Sequence, residues 1–207
     1  MNFRTVDELL ADGPELVTLD ARAVRASVDV VARMSVEDLD KPTPCAGWAL
    51  RDLLEHMIIQ HYGFAAASRG EDDLSLWKPQ PIGPDPVAEY RAAAEHVLAA
   101  FAAEGVLERN FPLPEIRNGV ILPAALSISF HFIDYVVHSW DVARTLGIDV
   151  EFEDDLLAAG LLVAEAVPRR ESRTVPGAAF APEIERPDGS VFDRILAVLG
   201  RSPGWPH

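Results

Sequence analysis

The sequence predicts an all-α protein, an antiparallel four-helix bundle with a small C-terminal extension. Three observations predict it. Four long segments repeat apolar residues at three- and four-residue spacing, the mark of a helix with one buried face. Each is set off from the next by a stretch rich in proline or glycine. Beyond residue 150 the apolar patterns are shorter, which divides the chain into a bundle over 1–150 and a helical cap of the same domain over 151–207. The 207 residues suffice for one large core, not for two full domains.

The elements follow in order. The first helix runs from about Leu16 to Met34, with Leu16, Leu19, Ala23, Val24, Val28 and Val31 on one face. In the stretch EDLDKPTPCAGW, Pro42 and Pro44 forbid regular helix and Gly47 loosens the chain. The second helix spans Ala49 to Ala67, its core side Leu50, Leu53, Leu54, Met57, Ile58 and Phe64. The polar loop RGEDDLSLWKPQPIGPDP ends at Pro86, a residue suited to the first turn of a third helix that carries Val87, Tyr90, Arg91, Ala94, Val97, Leu98 and Phe101. FPLPEIRNG reads as another break before the longest helix, Ala124 to Leu146, which Gly147 stops. Asp154 to Val167 reads as a fifth helix on the outside. A turn at Pro187-Asp188-Gly189 then precedes a last short helix through Phe192, Ile195, Leu196 and Leu199.

Composition narrows the function. Eighteen basic residues against 33 acidic ones give a net charge of −15, which repels phosphate backbones and argues against nucleic acid as a partner. No run reaches the roughly 18 uncharged apolar residues of a membrane span. The N-terminal MNFRTVDELLADG has no basic segment followed by an apolar one, so a cytoplasmic protein is expected. Cys45 is the single cysteine; any metal site must rely mainly on imidazole and carboxylate.

The longest helix contains the anomaly. On a wheel of about 100° per residue, Ser127, His131, Asp134, His138, Asp141 and Thr145 fall within about 80° of one another. This is the seam that would ordinarily carry leucine toward a bundle axis. Three readings fit the seam itself: a strip facing water, a structural hydrogen-bond network, or a metal or catalytic site. His56, beside the core face of the second helix, adds weight to the last. Asp134 and His138, one turn apart, can address one ion, and His56 would supply a third ligand from a facing helix. Asp141 is either an acceptor for the other N–H of a ligating histidine or a surface partner of Arg144. His61 reads as a partly exposed polar residue, Cys45 as a small packing residue, and Trp48 as a hydrophobic anchor for its loop.

TPCAGWALRDLLEHM, then DYVVHSWDVARTLG, then DRILAVLGRSP resemble the DinB-like superfamily of metal-binding bundles, in the branch of the mycothiol-dependent maleylpyruvate isomerase N-terminal domain. The resemblance runs over nearly the whole chain. It implies a bundle with a long crossover and a divalent ion, zinc first and nickel second, held at one end by His56, Asp134 and His138. The middle ligand of the family is commonly Glu; with Asp134 one methylene shorter, either a single oxygen binds or His131 takes its place. Characterised isomerases of this branch also carry a substantial C-terminal domain that helps form the active site, and the tail here is shorter. The activity implied is a thiol-dependent transfer or isomerisation, with mycothiol or another low-molecular-weight thiol as cofactor; His131, one turn from Asp134 on the seam, is the candidate catalytic group to move the proton. Metal-dependent hydrolysis with Asp141 or His131 as base is the alternative, and a non-catalytic metal- or ligand-binding bundle the third. The expected partner is a small-molecule substrate or thiol, and a bundle of this size allows a homodimer.

Overall fold

A computed structural model describes residues 3–116, 119–168, 173–174, 180–185 and 189–206. Its elements are α1 (Val6–Ala11), α2 (Gly13–Val31), α3 (Leu50–Ser68), α4 (Pro86–Phe101), a hairpin of β1 (Asn110–Leu113) and β2 (Val120–Pro123), then α5 (Ala124–Leu146), α6 (Asp154–Ala166) and α7 (Val191–Val198). Helices α2, α3, α4 and α5 form the bundle. Of these, α2 packs on α5 and α4, and α3 packs on α4 and α5. The expected all-α bundle is therefore present, with a two-stranded hairpin inserted before α5.

The helix ends follow from local chemistry. Asp12 closes α1 and opens α2, its carboxylate accepting from the Glu15 amide at 3.2 Å. Asp85 caps α4 through the Ala88 amide at 3.0 Å, with Pro86 in the first turn. Gly147 ends α5 in the left-handed conformation, φ 71°, and the Ile148 amide returns to the Ala143 carbonyl at 3.0 Å. Ala49 has no capping side chain. Instead Asp52 accepts from the Ala49 amide at 2.8 Å, and the preceding loop folds back so that the Leu50 amide reaches the Lys41 carbonyl and the Thr43 amide the Trp48 carbonyl. That closed loop fixes where α3 begins.

Leu16, Leu50, Leu53, Leu54, Tyr90, Phe132 and Val136 are fully buried, each large aliphatic contributing roughly 1.5–3 kcal/mol of burial free energy. The core they form is continuous from Leu9 to Leu199, so α1, α6 and α7 add their apolar faces to the same interior.

Three expectations are corrected. FPLPEIRNG was expected as a plain break, but Asn110–Leu113 pairs antiparallel with Val120–Pro123 because Phe111 and Leu113 alternate into the core. Helix α1 lies ahead of the first expected helix, started by Thr5, whose hydroxyl accepts from the Glu8 amide at 3.2 Å; the T-x-x-E spacing was its signal. Trp48, expected as a hydrophobic anchor for its loop, is 37% exposed, because it precedes the first turn of α3 and lays its ring 5.1 Å from that of His56. The expected turn at Pro187-Asp188-Gly189 lies, but for Gly189, outside the described residues.

Candidate metal centre

The polar seam of α5 faces the bundle interior. Ser127, His131 and Asp141 are fully buried, and His138 and Thr145 nearly so, which rules out the water-facing strip. Because α3 packs against α5, His56 meets Asp134 and His138 across that contact. The Asp134 carboxylate lies between the two imidazoles, Oδ2 3.7 Å from His56 Nε2 and Oδ1 3.3 Å from His138 Nε2. The two rings stand edge to face with centroids 5.2 Å apart. The side chains of His56 and Asp134 keep 24% and 18% exposure, so the group opens to solvent at its mouth while His138 forms its floor.

Electrostatics tie the group together. Burial works against the charge of Asp134, but the neighbouring His138, followed by His56, outweighs it and holds the carboxyl well below the usual range. Burial likewise opposes protonation of His138. The adjacent Asp134, and then the hydrogen bond to Asp141, overcome this and raise its pKa well above that of free imidazole.

Asp141 takes the inward alternative. It accepts from His138 Nδ1 at 2.9 Å, and its cationic partner is Arg201, not Arg144: Arg201 Nη2 donates to the same Oδ2 at 3.1 Å. Arg144 donates to the Trp205 carbonyl at 2.8 Å instead. Cys45, half-buried, is more than packing; its Sγ donates to Asp141 Oδ2 at 3.2 Å and lies 3.5 Å from Arg201 Nη2. Arg201 was not foreseen. Its only signal was its place directly after Gly200 in DRILAVLGRSP, since nothing local shows which carboxylate a tail arginine will meet.

Among the described residues, two groups of side chains bring metal-ligating atoms within 4.8 Å of one another, His56–Asp134–His138 and Cys45–His138–Asp141. The second already holds the Arg201 guanidinium against both its carboxylate and its sulfur, and that cation excludes another. The first has two imidazoles and a carboxylate, a donor set that suits zinc or nickel, and its inner imidazole has its other nitrogen fixed by a carboxylate, as ligating histidines do.

The structure does not bring His131 to this group. Its Nδ1 donates to Asp20 at 2.7 Å and its Nε2 lies 3.1 Å from His61 Nδ1, so both ring nitrogens are engaged in the core. His61 is fully buried rather than partly exposed, because it lies one turn beyond Met57 and two beyond Leu54 on the inner face of α3. Its ring stacks on Tyr135 at 4.0 Å. Burial, and then the neighbouring His131, press its pKa well below the ordinary value.

A sequence model of the mycothiol maleylpyruvate isomerase N-terminal domain matches residues 21–143. The chain belongs to the mycothiol maleylpyruvate isomerase N-terminal domain family. The family span contains His56, Asp134, His138 and Asp141 and ends before Arg201. Two uncharacterised proteins, one from each of two strains of Mycobacterium tuberculosis, are each 30% identical over 190 residues, covering 87% of this chain and 94% of the relative. The fold is that of the crystal structure of the mycothiol-dependent maleylpyruvate isomerase, with a TM-score of 0.54 at 17% identity over 79% of this chain and 71% of that one. A histidine-to-alanine mutant of that isomerase superposes with a TM-score of 0.57 at 14% identity, covering 87% of this chain and 77% of the mutant's. No described helix of this family member is long and apolar enough to cross a membrane.

Proposed function

We propose that this protein binds a divalent cation, zinc first and nickel second, through His56, Asp134 and His138, and uses it to activate a low-molecular-weight thiol, mycothiol by family, for isomerisation or transfer on a small electrophilic substrate. The observation that carries the reading is the convergence of three ligating atoms, from two helices far apart in sequence, within 4.8 Å at a partly open mouth. The family membership supplies the thiol. Bound there, the cation supplies Lewis acidity that lowers the pKa of a thiol near pH 7.

The protein's own residues do the rest. Asp134 offsets cationic charge between the two imidazoles. Asp141 holds the His138 ring by its Nδ1–H and so aims Nε2 at the mouth. His56 and Trp48 form the exposed lip. His131, with both nitrogens engaged, is assigned to tying α2, α3 and α5 together rather than to moving a proton at the mouth. The two residues that hydrolysis would need as base, Asp141 and His131, are both committed to partners, and that alternative gains no support from the geometry.

The test is metal analysis of the purified protein, followed by calorimetric titration with mycothiol. The reading requires near-stoichiometric metal in the wild type, its loss in His56→Ala and His138→Ala, and thiol binding that depends on metal. Metal-free wild type, or equal metal in both variants, sinks it; thiol bound without turnover of any electrophile reduces it to a binding bundle.

A further inference from the structure

We infer that Arg201 is a positioning residue for the metal centre, acting through Asp141 on His138. The inference rests on the reading of His56, Asp134 and His138 as ligands.

The chain is delivered to the site by a turn that only glycine makes comfortably. After α7 the backbone reverses at Gly200, φ 78°, where a Cβ would lie 2.7 Å from both the Cβ and the carbonyl oxygen of Ala181. The Arg201 amide then bonds the Leu196 carbonyl at 2.8 Å, and its Nη1 bonds the Leu199 carbonyl at 3.1 Å. Arg201 is 7% exposed, and its guanidinium, 5.6 Å from the Phe180 ring centroid, is left with Nη2 on Asp141. One oxygen, Asp141 Oδ2, thus receives both Arg201 and the Nδ1–H of His138, sixty and three residues away.

A ligating imidazole is only as well aimed as the acceptor that holds its second nitrogen, and losing such an acceptor typically costs ten- to hundredfold in metal affinity. The acceptor here is a carboxylate with no solvent exposure, and a buried carboxylate stays ordered where a buried cation pins it. Arg201 does the pinning with a planar fork whose two ends are fixed at once, on the Leu199 carbonyl and on Asp141, which a lysine cannot reproduce. The turn after α7 therefore belongs to the metal centre, outside residues 21–143, over which the chain matches the family.

The experiment is a double-mutant cycle on the full chain, read as zinc affinity by chelator competition and as the cobalt(II) absorption spectrum. Arg201→Gln is expected to weaken zinc binding about tenfold or more and to shift the cobalt bands, because the aim of the His138 ring changes. Asp141→Asn should do the same, and the double variant should be no weaker than Asp141→Asn alone, since Arg201 acts through that carboxylate. If Arg201→Gln fails to fold, Arg201→Lys, which keeps the buried charge, should still bind about threefold more weakly than wild type. Affinity and cobalt spectrum unchanged in the arginine variants, or losses that multiply in the double variant, overturn the inference while leaving the ligand set standing. A wild type that takes up no metal while folded removes the ligand set itself.

Discussion

His61 Nδ1 and His131 Nε2 lie 3.1 Å apart in the centre of the bundle, with neither ring exposed to solvent. Burial and the adjacent His131 disfavour a proton on His61, whereas the unfolded chain accepts one near the free-imidazole value. The unfolded state then binds more protons, so the His61 contribution is unchanged above about pH 6.5 and stability falls as pH drops below it. His138, raised without metal, changes stability in the opposite direction with pH, so the measurement is a difference. Urea unfolding of wild type and His61→Gln at several pH values should give curves that diverge below about pH 6.5, by at most about 1.4 kcal/mol per pH unit. Parallel curves would show that His61 does not carry this dependence.

Asp134 sits between two imidazoles, its carboxylate oxygens 3.7 Å from His56 Nε2 and 3.3 Å from His138 Nε2, so its charge faces both. Asp134→Asn keeps the shape and removes the charge; zinc affinity should drop by at least about tenfold. Asp134→Glu, which restores the longer acid common in the family, should retain binding to within about the same factor. Equal zinc affinity in Asn and wild type would remove Asp134 from the ligand set.

Gly200 and Gly47 both have positive φ, 78° and 83°, but a Cβ at Gly47 meets nothing within 4 Å. Gly47→Ala should therefore cost only the left-handed backbone penalty, about 1–2 kcal/mol, and Gly200→Ala clearly more, because Ala181 must also move. Thermal unfolding of the two variants side by side orders them. Equal midpoints would mean that the turn after α7 yields readily.

The Tyr90 hydroxyl donates to Ser27 Oγ at 2.6 Å, joining α4 to α2 in the core, and Ser27 donates onward to the Val24 carbonyl. Tyr90→Phe leaves that buried acceptor without its donor and should cost about 1–3 kcal/mol. Once Ser27→Ala has removed the acceptor, Tyr90→Phe should cost less than it does in the wild type, as a denaturant-based cycle can measure.

Much of the bundle could be read from the chain because it is written locally. Helix α5 begins at Ala124 and ends at Leu146, as Pro123 and Gly147 indicated, and α4 begins at Pro86 as its proline required. The hairpin was missed because Pro112 and Pro114 read as breakers, while the alternation of Phe111 and Leu113 spans too few residues to compete.

The site divides in the same way. That Asp134, His138 and Asp141 share one side of one helix is a consequence of helical pitch and was legible from spacing; so was an imidazole on α3 near the core edge. Spacing could not say that His61 turns fully inward, that His131 spends both nitrogens on Asp20 and His61, or that the carboxylate behind His138 is paired with Arg201 and not with Arg144 one turn away. Periodicity tells which residues share a face of one helix. Which groups meet across faces depends on how the helices and the tail pack, and packing is set by the whole interior at once, with no trace in any short stretch of sequence.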